Sequence, residues 1–433
     1  MPATDTSLSR ADDAAVPLPV EARMSRGALL MAWASICSAM VYLFLGATLA
    51  LSFGVRNAVI GMVLAVVVFG FLCGYLARFA ATTGMSSSVL SQFMLGKAGG
   101  SIATLILSAT GVYYAVFEGS VLAVAIHKAI PQLSYAAAAF VVVAYSVPLI
   151  LGSVQNWIDR LNGVLLPFYL VGIAALIITS FVHHSQGPAF WSVGPASGTP
   201  PFGWWYCFAT YLGVLVMVMV TMDFARFGRP DDAAWHARIT FGMPFYAVTY
   251  LLNGIVGILI VSTLDAATVT ETAVVDASLV LLGTLAGLGW VFVSQTRINT
   301  ANFLLGTLNL QAFLREALGI RLSKAWCAAV VGLATFGLMR STDIFKYLVV
   351  ALNWQAVFTT AWVGVALSHV ALVRQGRAPS SGNPGLISWV LGAFAGGTIL
   401  AAGARLSLWY PVVTVAVSVM AHRVLLIRQR SSP

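Results

Sequence analysis

A series of apolar runs restricts what this chain can fold into more than any other feature of its sequence. A helix needs roughly 20 predominantly apolar residues to cross the hydrocarbon of a bilayer, and the 433 residues contain about twelve such runs. Only 9% of the residues are charged, whereas a soluble domain has about a quarter. We therefore expect an all-α polytopic membrane protein with about 12 transmembrane helices. The predicted spans are residues 27–52, 57–79, 101–126, 133–154, 163–183, 203–221, 239–263, 277–297, 325–339, 344–372, 384–403 and 406–425.

The remainder of the chain leaves little room for a second domain. No hydrophilic stretch is long enough to form one, and no period of about 20 to 50 residues recurs. We expect a single transmembrane domain over residues 27–425. Residues 1–26 are polar and lack an apolar core, so they predict a disordered cytoplasmic tail rather than a cleavable signal peptide. Residues 426–433 predict a short cytoplasmic tail at the other end.

The net charge of +9 has two explanations, nucleic-acid binding and membrane orientation. If the N-terminus is cytoplasmic, basic residues favour the cytoplasmic segments by about three to one, as the positive-inside rule requires. This bias predicts cytoplasmic termini, an even number of spans and no nucleic-acid partner. A protein of this kind is expected in a bacterial cytoplasmic (inner) membrane, and the sequence leaves its oligomeric state open.

Two charged side chains fall inside the predicted spans, Glu118 in the middle of the third and Arg297 at the end of the eighth. An ionised side chain at mid-bilayer costs at least about 2.5 to 3.5 kcal/mol, so both are candidates for function. If they faced each other, they would form a buried ion pair. Each residue also has a structural explanation, which remains open. Glu118 can be a protonated packing residue, and Arg297 can extend its side chain to the cytoplasmic interface.

An aromatic residue accompanies the glutamate on the third span. Tyr114 lies one helical turn before Glu118, and residues four apart are neighbours on a helix. An aromatic ring beside a carboxyl group suits a flat heterocycle, which stacks on the ring while polar groups bind its edge. Tyrosine is also an ordinary packing residue of membrane helices, so the pair is a weak signal when taken alone.

Polar residues crowd into the eighth span as well. Thr296, Asn299, Thr300 and Asn302 fall within seven residues before an apolar run resumes. Unsatisfied polar groups are costly in lipid, because no water is present to bond with them. We therefore expect this cluster to face protein, water or a ligand.

The sixth span combines a glycine with two charges at its end. Gly213 permits a break in the helix or the close approach of a ligand. Asp223 and Arg226 lie three residues apart, where side chains on a helix meet. They predict a structural ion pair or a gate rather than a substrate contact.

Three stretches of this sequence resemble the nucleobase:cation symporter family, the purine and cytosine permeases. The bacterial cytosine permeases have a similar Asp-Phe-x-Arg-Phe-Gly-Arg run after the sixth span, which here is part of "TMDFARFGR". They also have a segment rich in threonine and asparagine in the eighth span, here "SQTRINTANFLLGTLNL". The stretch "GYLARFAATTGMSSSVLSQFMLGKAGG" looks like the family's connection between the second and third spans. The resemblance covers nearly the whole chain, and three motifs in register are hard to obtain by chance.

The resemblance implies a leucine-transporter-like fold. This fold has two inverted repeats of five helices plus two further helices, with discontinuous first and sixth helices that expose backbone groups at mid-membrane. In the family, an aromatic residue of the third span and a polar residue four positions later contact the flat base. Trp is usual at the first position and Gln or Gly at the second, so Tyr and Glu are departures. The substrate-binding residues that the resemblance implies are Tyr114, Glu118, Gly213, Val214, Asn299, Asn302 and, at the border of the site, Ser38.

A further departure concerns the coupling ion. Sodium-coupled members of the family place two adjacent hydroxyl residues on the eighth span as ion ligands, and the matching pair here is Thr296 and Arg297. Arginine cannot bind sodium, and its charge repels a cation. Burial favours the neutral form of a carboxyl group, so Glu118 can exchange a proton as the site alternates. We expect proton coupling through Glu118, with sodium as the alternative.

The expected function is secondary active transport. The chain is expected to import a nucleobase, either cytosine or a purine, or a related planar heterocycle, by cation symport through alternating access. Alternatives within the same family are a permease for allantoin or a hydantoin and a permease for a pyrimidine vitamin precursor. A membrane sensor that uses the fold without transport is a further alternative, although the sequence shows no appended segment that would signal.

An enzyme or a metalloprotein is not expected. The cysteines Cys37, Cys73, Cys207 and Cys327 lack C-x-x-C spacing, so they predict packing residues rather than disulfides or metal ligands. No H-E-x-x-H motif occurs, and the histidines fall at or near predicted span ends, where solvated side chains are common. We expect no cofactor apart from the coupling ion, and we expect the small-molecule substrate and the lipid bilayer as partners.

Overall fold

Helices make up most of the protein. The computed structural model describes residues 14–152, 157–183, 190–264, 273–341, 344–377, 383–403 and 406–431. Helices account for 84% of the structure, and the described residues contain no β-strand. In chain order the principal helices are α1 (Arg26–Trp33), α2 (Val41–Phe53), α3 (Val55–Thr83), α4 (Ser87–Ala129), α5 (Tyr135–Leu149), α6 (Asp159–His183), α7 (Gly203–Leu212), α8 (Val216–Ala225), α9 (Pro230–Thr263), α10 (Ala273–Leu282), α11 (Thr284–Ala317), α12 (Lys324–Met339), α13 (Ile344–Arg374), α14 (Asn383–Ala401) and α15 (Tyr410–Ser431).

The first and sixth predicted spans are each broken, as expected. The axes of α1 and α2 are bent by 43°, and those of α7 and α8 by 44°. In the first break, the hydroxyls of Ser35 and Ser38 donate to the carbonyls of Ala32 and Ser35. Such local bonds compete with the hydrogen bonds of a continuous helix. The two breaks lie five spans apart, which is the spacing of an inverted five-helix repeat.

The number of spans follows from the remaining helices. Within the described residues, seven helices are long and apolar enough to cross a membrane, or nine if each bent pair counts as one span. The apolar helices α5 and α12 are shorter, at 15 and 16 residues. The 34-residue helix α11 is long enough but has a polar middle. With these three included, each of the twelve predicted spans corresponds to a helix or a bent pair.

The predicted boundaries of the eighth span are wrong. Residues 273–282 form the separate helix α10, and the span itself is α11, which continues to Ala317. The apolar pattern fails here because the middle of α11 faces protein and carries polar side chains. Arg297 therefore lies well inside a helix, and its side chain is fully buried. The interpretation in which Arg297 reaches the interface is wrong as well.

The backbones of α4 and α11 approach each other closely. A Cβ atom on Gly111 would lie 2.4 Å from the backbone nitrogen of Gly306 and 2.8 Å from the carbonyl oxygen of Asn302. Small residues permit such close packing between membrane helices. This contact fixes the position of the third-span residues relative to the polar residues of the eighth.

Residues 14–25, here called the N-terminal segment, pack on one end of the helix bundle. The prediction of a disordered tail is wrong for this part of residues 1–26, while residues 1–13 lie outside the described ranges. The segment is polar, yet it is held by contacts with backbone carbonyls, which composition does not reveal. Arg23 is 8% exposed, and its guanidinium donates to the carbonyls of Leu18, Ala81 and Gly228.

One further expectation needs correction, and one holds. Helix α15 continues to Ser431, so residues 426–431 of the predicted cytoplasmic tail are helical, and residues 432–433 lie outside the described part. His236, His369 and His422 are buried within the bundle rather than solvated. The four cysteines are free and buried, as packing residues should be.

Candidate functional site

A central cavity lies between the two helix breaks. Its volume is about 320 Å³, which is within the range of small-molecule sites. Side chains from α2, α4, α7, α8 and α11 form its wall together with residues of both breaks. Most of the wall is apolar or aromatic, as is usual for sites that bind organic molecules. The lining residues are Ile36, Ala39, Val41, Tyr42, Phe44, Leu45, Tyr113, Tyr114, Phe117, Glu118, Thr210, Gly213, Val214, Met217, Val220, Ile298, Ala301, Asn302 and Leu305.

Glu118 lies on this wall at the first helix break. Its side chain is 1% exposed, and one carboxylate oxygen accepts the backbone N–H of Met40 at 3.3 Å. The N–H of Val41 and the side-chain amide of Gln295 also face the carboxyl group. Met40 immediately precedes α2, so the carboxylate lies at the amino-terminal end of that half-helix. Backbone N–H groups and the helix dipole favour a negative charge at this position.

The aromatic part of the wall stands next to the carboxylate. Tyr114 is half-buried and lines the cavity, one turn before Glu118 as the spacing predicts. The ring of Tyr113 meets that of Tyr114 edge to face, with centroids 5.3 Å apart. This contact restricts the ring of Tyr114 and leaves it available as a stacking surface.

Arg297 lies behind the cavity and does not line it. Its guanidinium donates to the backbone carbonyl of Ala34 at 2.7 Å and to that of Asn162. It also stands over the ring of Tyr169, 5.9 Å from the centroid, a distance at which a cation and an aromatic face attract. Ala34 follows α1, so the guanidinium lies at the carboxyl-terminal end of that half-helix, where a positive charge is favoured.

The predicted ion pair between Glu118 and Arg297 does not form. Both residues lie in the described part of the chain, and their side chains bond to other groups instead. Glu118 and Arg297 instead bind opposite sides of the first break. Each charge is balanced by backbone dipoles rather than by the other side chain.

The other backbone groups of the first break are held by side chains too. The carbonyl of Cys37 accepts the hydroxyl of Tyr169 at 3.2 Å and the amide of Asn253 at 2.6 Å. Ser38 donates to the carbonyl of Ser294, and Ser294 donates to that of Ser38. The break is therefore bound by side chains from α6, α9 and α11.

The predicted contact residues divide into two groups. Five of them line the cavity, namely Tyr114, Glu118, Gly213, Val214 and Asn302. Ser38 does not line it and instead joins the first break to α11. Asn299 is fully buried away from it, and both polar atoms of its amide lack a hydrogen-bond partner among the described residues.

The predicted ion-coupling residue Thr296 has a neighbour on another helix. Its hydroxyl lies 3.1 Å from that of Tyr145 on α5. Together with the buried Arg297, this contact leaves the pair that matches the family's ion ligands engaged with protein groups. The described residues contain no group of three or more side chains suited to hold a metal ion.

Other wall residues carry no signal in the sequence. Phe44, Thr210 and Met217 reach the cavity because the helices bend at the breaks. In an apolar span they look the same as residues that face lipid. In the sixth span, the residue whose type indicated a site was Gly213.

Asp223 lies at the end of the bundle that the N-terminal segment covers. Its carboxylate accepts the backbone N–H and the hydroxyl of Ser87, at 2.8 and 2.7 Å, and the amide of Asn309 at 3.2 Å. Arg226 acts on it electrostatically, but the hydrogen bonds of Asp223 run to Ser87 and Asn309. The predicted direct ion pair is thus replaced by a contact at the amino terminus of α4.

A second, small cavity of about 20 Å³ lies beside Asp223. Leu305 lines both this cavity and the central one, so its side chain separates them. Ala14 of the N-terminal segment lines the small cavity on its other side. Leu305 and the N-terminal segment therefore lie between the central cavity and this end of the bundle.

A cavity between two broken helices that lie five spans apart is typical of the leucine-transporter-like fold. Solved structures agree with this assignment of the fold. The chain is similar to Mhp1, a nucleobase-cation-symport-1 family transporter, in a closed conformation with bromovinylhydantoin bound. The TM-score is 0.74 at 14% identity, over 96% of this chain and 94% of that one. The inward-facing conformation of Mhp1 gives a TM-score of 0.72 at 12% identity, over 96% and 94% of the two chains.

A different transporter shares the same fold. The substrate-bound, outward-open state of a Na⁺-coupled sialic acid symporter matches with a TM-score of 0.66 at 11% identity, over 97% of this chain and 94% of that one. No family model matches the sequence, and no curated protein matches it. The chain is thus an integral membrane protein with a leucine-transporter-like fold, and both Mhp1 and the sialic acid symporter, which share this fold, are transporters.

Proposed function

We propose that the chain is a nucleobase:cation symporter that imports cytosine, a purine or a related planar heterocycle through alternating access. The single observation that carries this proposal is the central cavity, where Tyr114, Glu118 and Asn302 meet at the two helix breaks. An aromatic ring, a carboxyl group and an amide are the groups that bind the face and the edges of a flat, polar ring. The fold shared with Mhp1 supports the same class.

The proposed coupling ion is a proton, and its carrier is Glu118. Among the side chains that line the cavity, Glu118 is the carboxyl group. A carboxyl group can bind the edge of a polar substrate and can also take up a proton. Tyr42 and Tyr114 lie near it on the cavity wall, and neither brings a compensating positive charge. Protonation therefore removes a charge that only backbone and amide groups balance.

The second part of the proposal concerns sodium. Arg297 places a permanent positive charge at the carbonyl end of α1, where a bound cation would otherwise be favoured. The guanidinium binds two backbone carbonyls and remains charged at any physiological pH. We infer that Arg297 takes the place of a coupling sodium ion and that transport is independent of sodium.

The proposal also includes a location. The distribution of basic residues supports cytoplasmic termini and a bacterial inner membrane. In this orientation, the N-terminal segment and Asp223 lie on the cytoplasmic side, and the path past Leu305 leads into the cell. The protein works in the lipid bilayer without a cofactor.

Counterflow in proteoliposomes tests the proposed transport. Unlabelled substrate on the far side of the membrane should stimulate uptake of labelled substrate, because only an alternating carrier exchanges one for the other. The panel should contain cytosine, adenine, hypoxanthine, uracil, allantoin, a hydantoin and an aminopyrimidine vitamin precursor. Binding without counterflow for every compound would identify a sensor instead. Counterflow restricted to allantoin and hydantoins, or to the vitamin precursor, would identify the corresponding permease.

The proton role has its own test. Glu118→Gln keeps the shape of the side chain and an acceptor for the N–H of Met40 but cannot exchange a proton. We expect this variant to retain counterflow and to lose accumulation driven by a pH gradient. Accumulation by the Glu118→Gln protein under a pH gradient would refute the role of Glu118 in coupling.

A further inference from the structure

We infer that the site selects heterocycles with an amidine edge, in which an amino group stands next to a ring nitrogen, and that it rejects anionic substrates. This inference rests on the proposed function and narrows its substrate class. It depends on three features of the cavity wall. These are the position of the Glu118 carboxylate, the charges around it and the side-chain nitrogen of Asn302, which has no hydrogen-bond partner among the described residues.

The amino-terminal end of α2 favours a negatively charged group, and the carboxylate of Glu118 already occupies that position. A half-helix that begins beside a cavity offers its N–H groups and the positive end of its dipole to a negatively charged ligand. Here the carboxylate of Glu118 accepts the N–H of Met40 at 3.3 Å at the start of α2. A carboxylate on the substrate would find this position occupied by a group of like charge.

The remainder of the wall offers no compensation for a negative substrate. The described residues that line the cavity include no Lys, Arg or His. The guanidinium of Arg297 lies behind the wall and bonds to Ala34 and Asn162. A second negative charge beside Glu118 would therefore be repelled in a site with little water.

The carboxyl group of Glu118 can make two hydrogen bonds to an amidine edge, whether the proton between them is on the carboxyl group or on the ring nitrogen. If the proton is on the carboxyl group, its O–H donates to the ring nitrogen, and the amino group donates to the other oxygen. If the proton moves to the ring nitrogen, the same two bonds become charge-assisted. A lactam edge offers a carbonyl oxygen instead, which is a much weaker base, so the proton is shared less well.

The cavity wall also offers a hydrogen-bond donor to a bound heterocycle. The side-chain nitrogen of Asn302 lines the cavity at 6% exposure and has no hydrogen-bond partner among the described residues. A buried amide without a partner costs free energy, so a ligand acceptor there is favoured. The preferred substrate thus has an amidine edge for Glu118, an acceptor for Asn302 and a flat face for Tyr114.

Matched pairs of ligands test the inference, because they differ at one edge only. Binding to the full-length purified protein is measured for cytosine against uracil, for adenine against hypoxanthine and for the anionic orotate. We expect the amino member of each pair to bind about tenfold more tightly, which corresponds to about 1.4 kcal/mol. Orotate should bind more weakly than uracil.

Two variants test whether Glu118 causes the preference for amidine over lactam ligands. In Glu118→Gln, the amide pairs equally well with an amidine and a lactam, so the preference should fall to about one. Thr179→Val is the control, because Thr179 lies on α6 outside the cavity and its hydroxyl donates to the carbonyl of Ala175, so the ratio within each pair should stay unchanged. The inference is overturned, and the proposed function is not, if a lactam binds the unaltered protein as tightly as its amino partner or if the preference survives in Glu118→Gln. If no member of the panel binds, both the inference and the proposed function fail.

Discussion

The guanidinium of Arg297 donates a hydrogen bond of 2.7 Å to the backbone carbonyl of Ala34, where α1 ends. On the far side of the same break, the carboxylate of Glu118 accepts the N–H that precedes α2. The negative end of one half-helix and the positive end of the next are thus each covered by a side chain of the opposite sign. A broken membrane helix leaves such groups to be satisfied by ions, water or ligands, and here the chain supplies its own charges.

Transport should be independent of sodium. Replacing sodium with choline on both sides of proteoliposomes should change the initial rate by less than about twofold, because Arg297 is permanently charged. Strict dependence of uptake on sodium would contradict the assignment. The measurement is uptake of labelled substrate at fixed pH and fixed membrane potential.

Removing the guanidinium should expose the cation site. Arg297→Ala removes the charged donor to two buried carbonyls, at about 1.5 to 3 kcal/mol for each bond, so we expect a lower unfolding temperature and loss of uptake. Added sodium should raise the unfolding temperature of this variant more than that of the unaltered protein. Arg340→Ala, at an exposed position, is the control. Equal responses to sodium in all three proteins would show that no cation site is uncovered.

Tyr114 should act through its ring. Tyr114→Ala removes the stacking surface and should weaken substrate binding by about tenfold or more, since base-aromatic stacking contributes about 1 to 3 kcal/mol. Tyr114→Phe keeps the ring and should stay within about threefold of the unaltered protein. Binding is measured by calorimetry with the tightest ligand of the panel. A large loss in the phenylalanine variant would assign the role to the hydroxyl instead.

The close approach of α4 and α11 should be intolerant of side chains. Gly111→Val would place atoms within 3 Å of the backbone of Gly306 and Asn302, and overpacking of this kind costs about 1 to 3 kcal/mol. We expect a lower unfolding temperature and weaker ligand binding. Gly289→Val on α11 is the matched control, because no other group lies within 4 Å of its Cβ position. Similar losses in both variants would mean that valine acts through helix propensity.

The N-terminal segment should close the path beside Asp223. Arg23→Gln removes donors to several backbone carbonyls and should speed labelling of a Leu305→Cys protein by a thiol reagent added to the cytoplasmic side. Arg26→Gln is the control, since it removes the partly exposed 2.6 Å pair with Asp232 and a contact with the Trp235 ring but no donor to a backbone carbonyl of the segment, and surface ion pairs contribute about 0 to 1 kcal/mol. Labelling rates that are equal in the two variants would show that the segment does not limit access.

The sequence predicts the architecture well because lipid imposes it. Apolar runs mark the spans, Gly213 indicates the break in the sixth, and the break in the first follows from the family resemblance. The pattern fails at α11, where the helix faces protein and polar residues such as Asn299 replace apolar ones. It also fails at Arg23, whose burial depends on the carbonyls of Ala81 and Gly228, which lie far away in the chain.

The site is predicted in part for a similar reason. Tyr114 and Glu118 are found from their spacing on one helix, which local geometry fixes. The partners of Arg297 are not, because Ala34 and Asn162 lie far away in the chain and offer only backbone atoms. Any residue type presents the same carbonyl, so no motif can mark these contacts.

Under the proposed proton coupling, the charges of Glu118 and Arg297 at the first helix break also set the electrical character of the cycle. With Glu118 ionised, the charges of Glu118 and Arg297 cancel, and the empty carrier moves no net charge when it reorients. Once a proton reaches Glu118, the loaded carrier has one positive charge at its centre. An inside-negative voltage then draws only the loaded form inward, with at most about 2.3 kcal/mol for every 100 mV. The membrane potential would therefore drive import directly, and the return step would be insensitive to it.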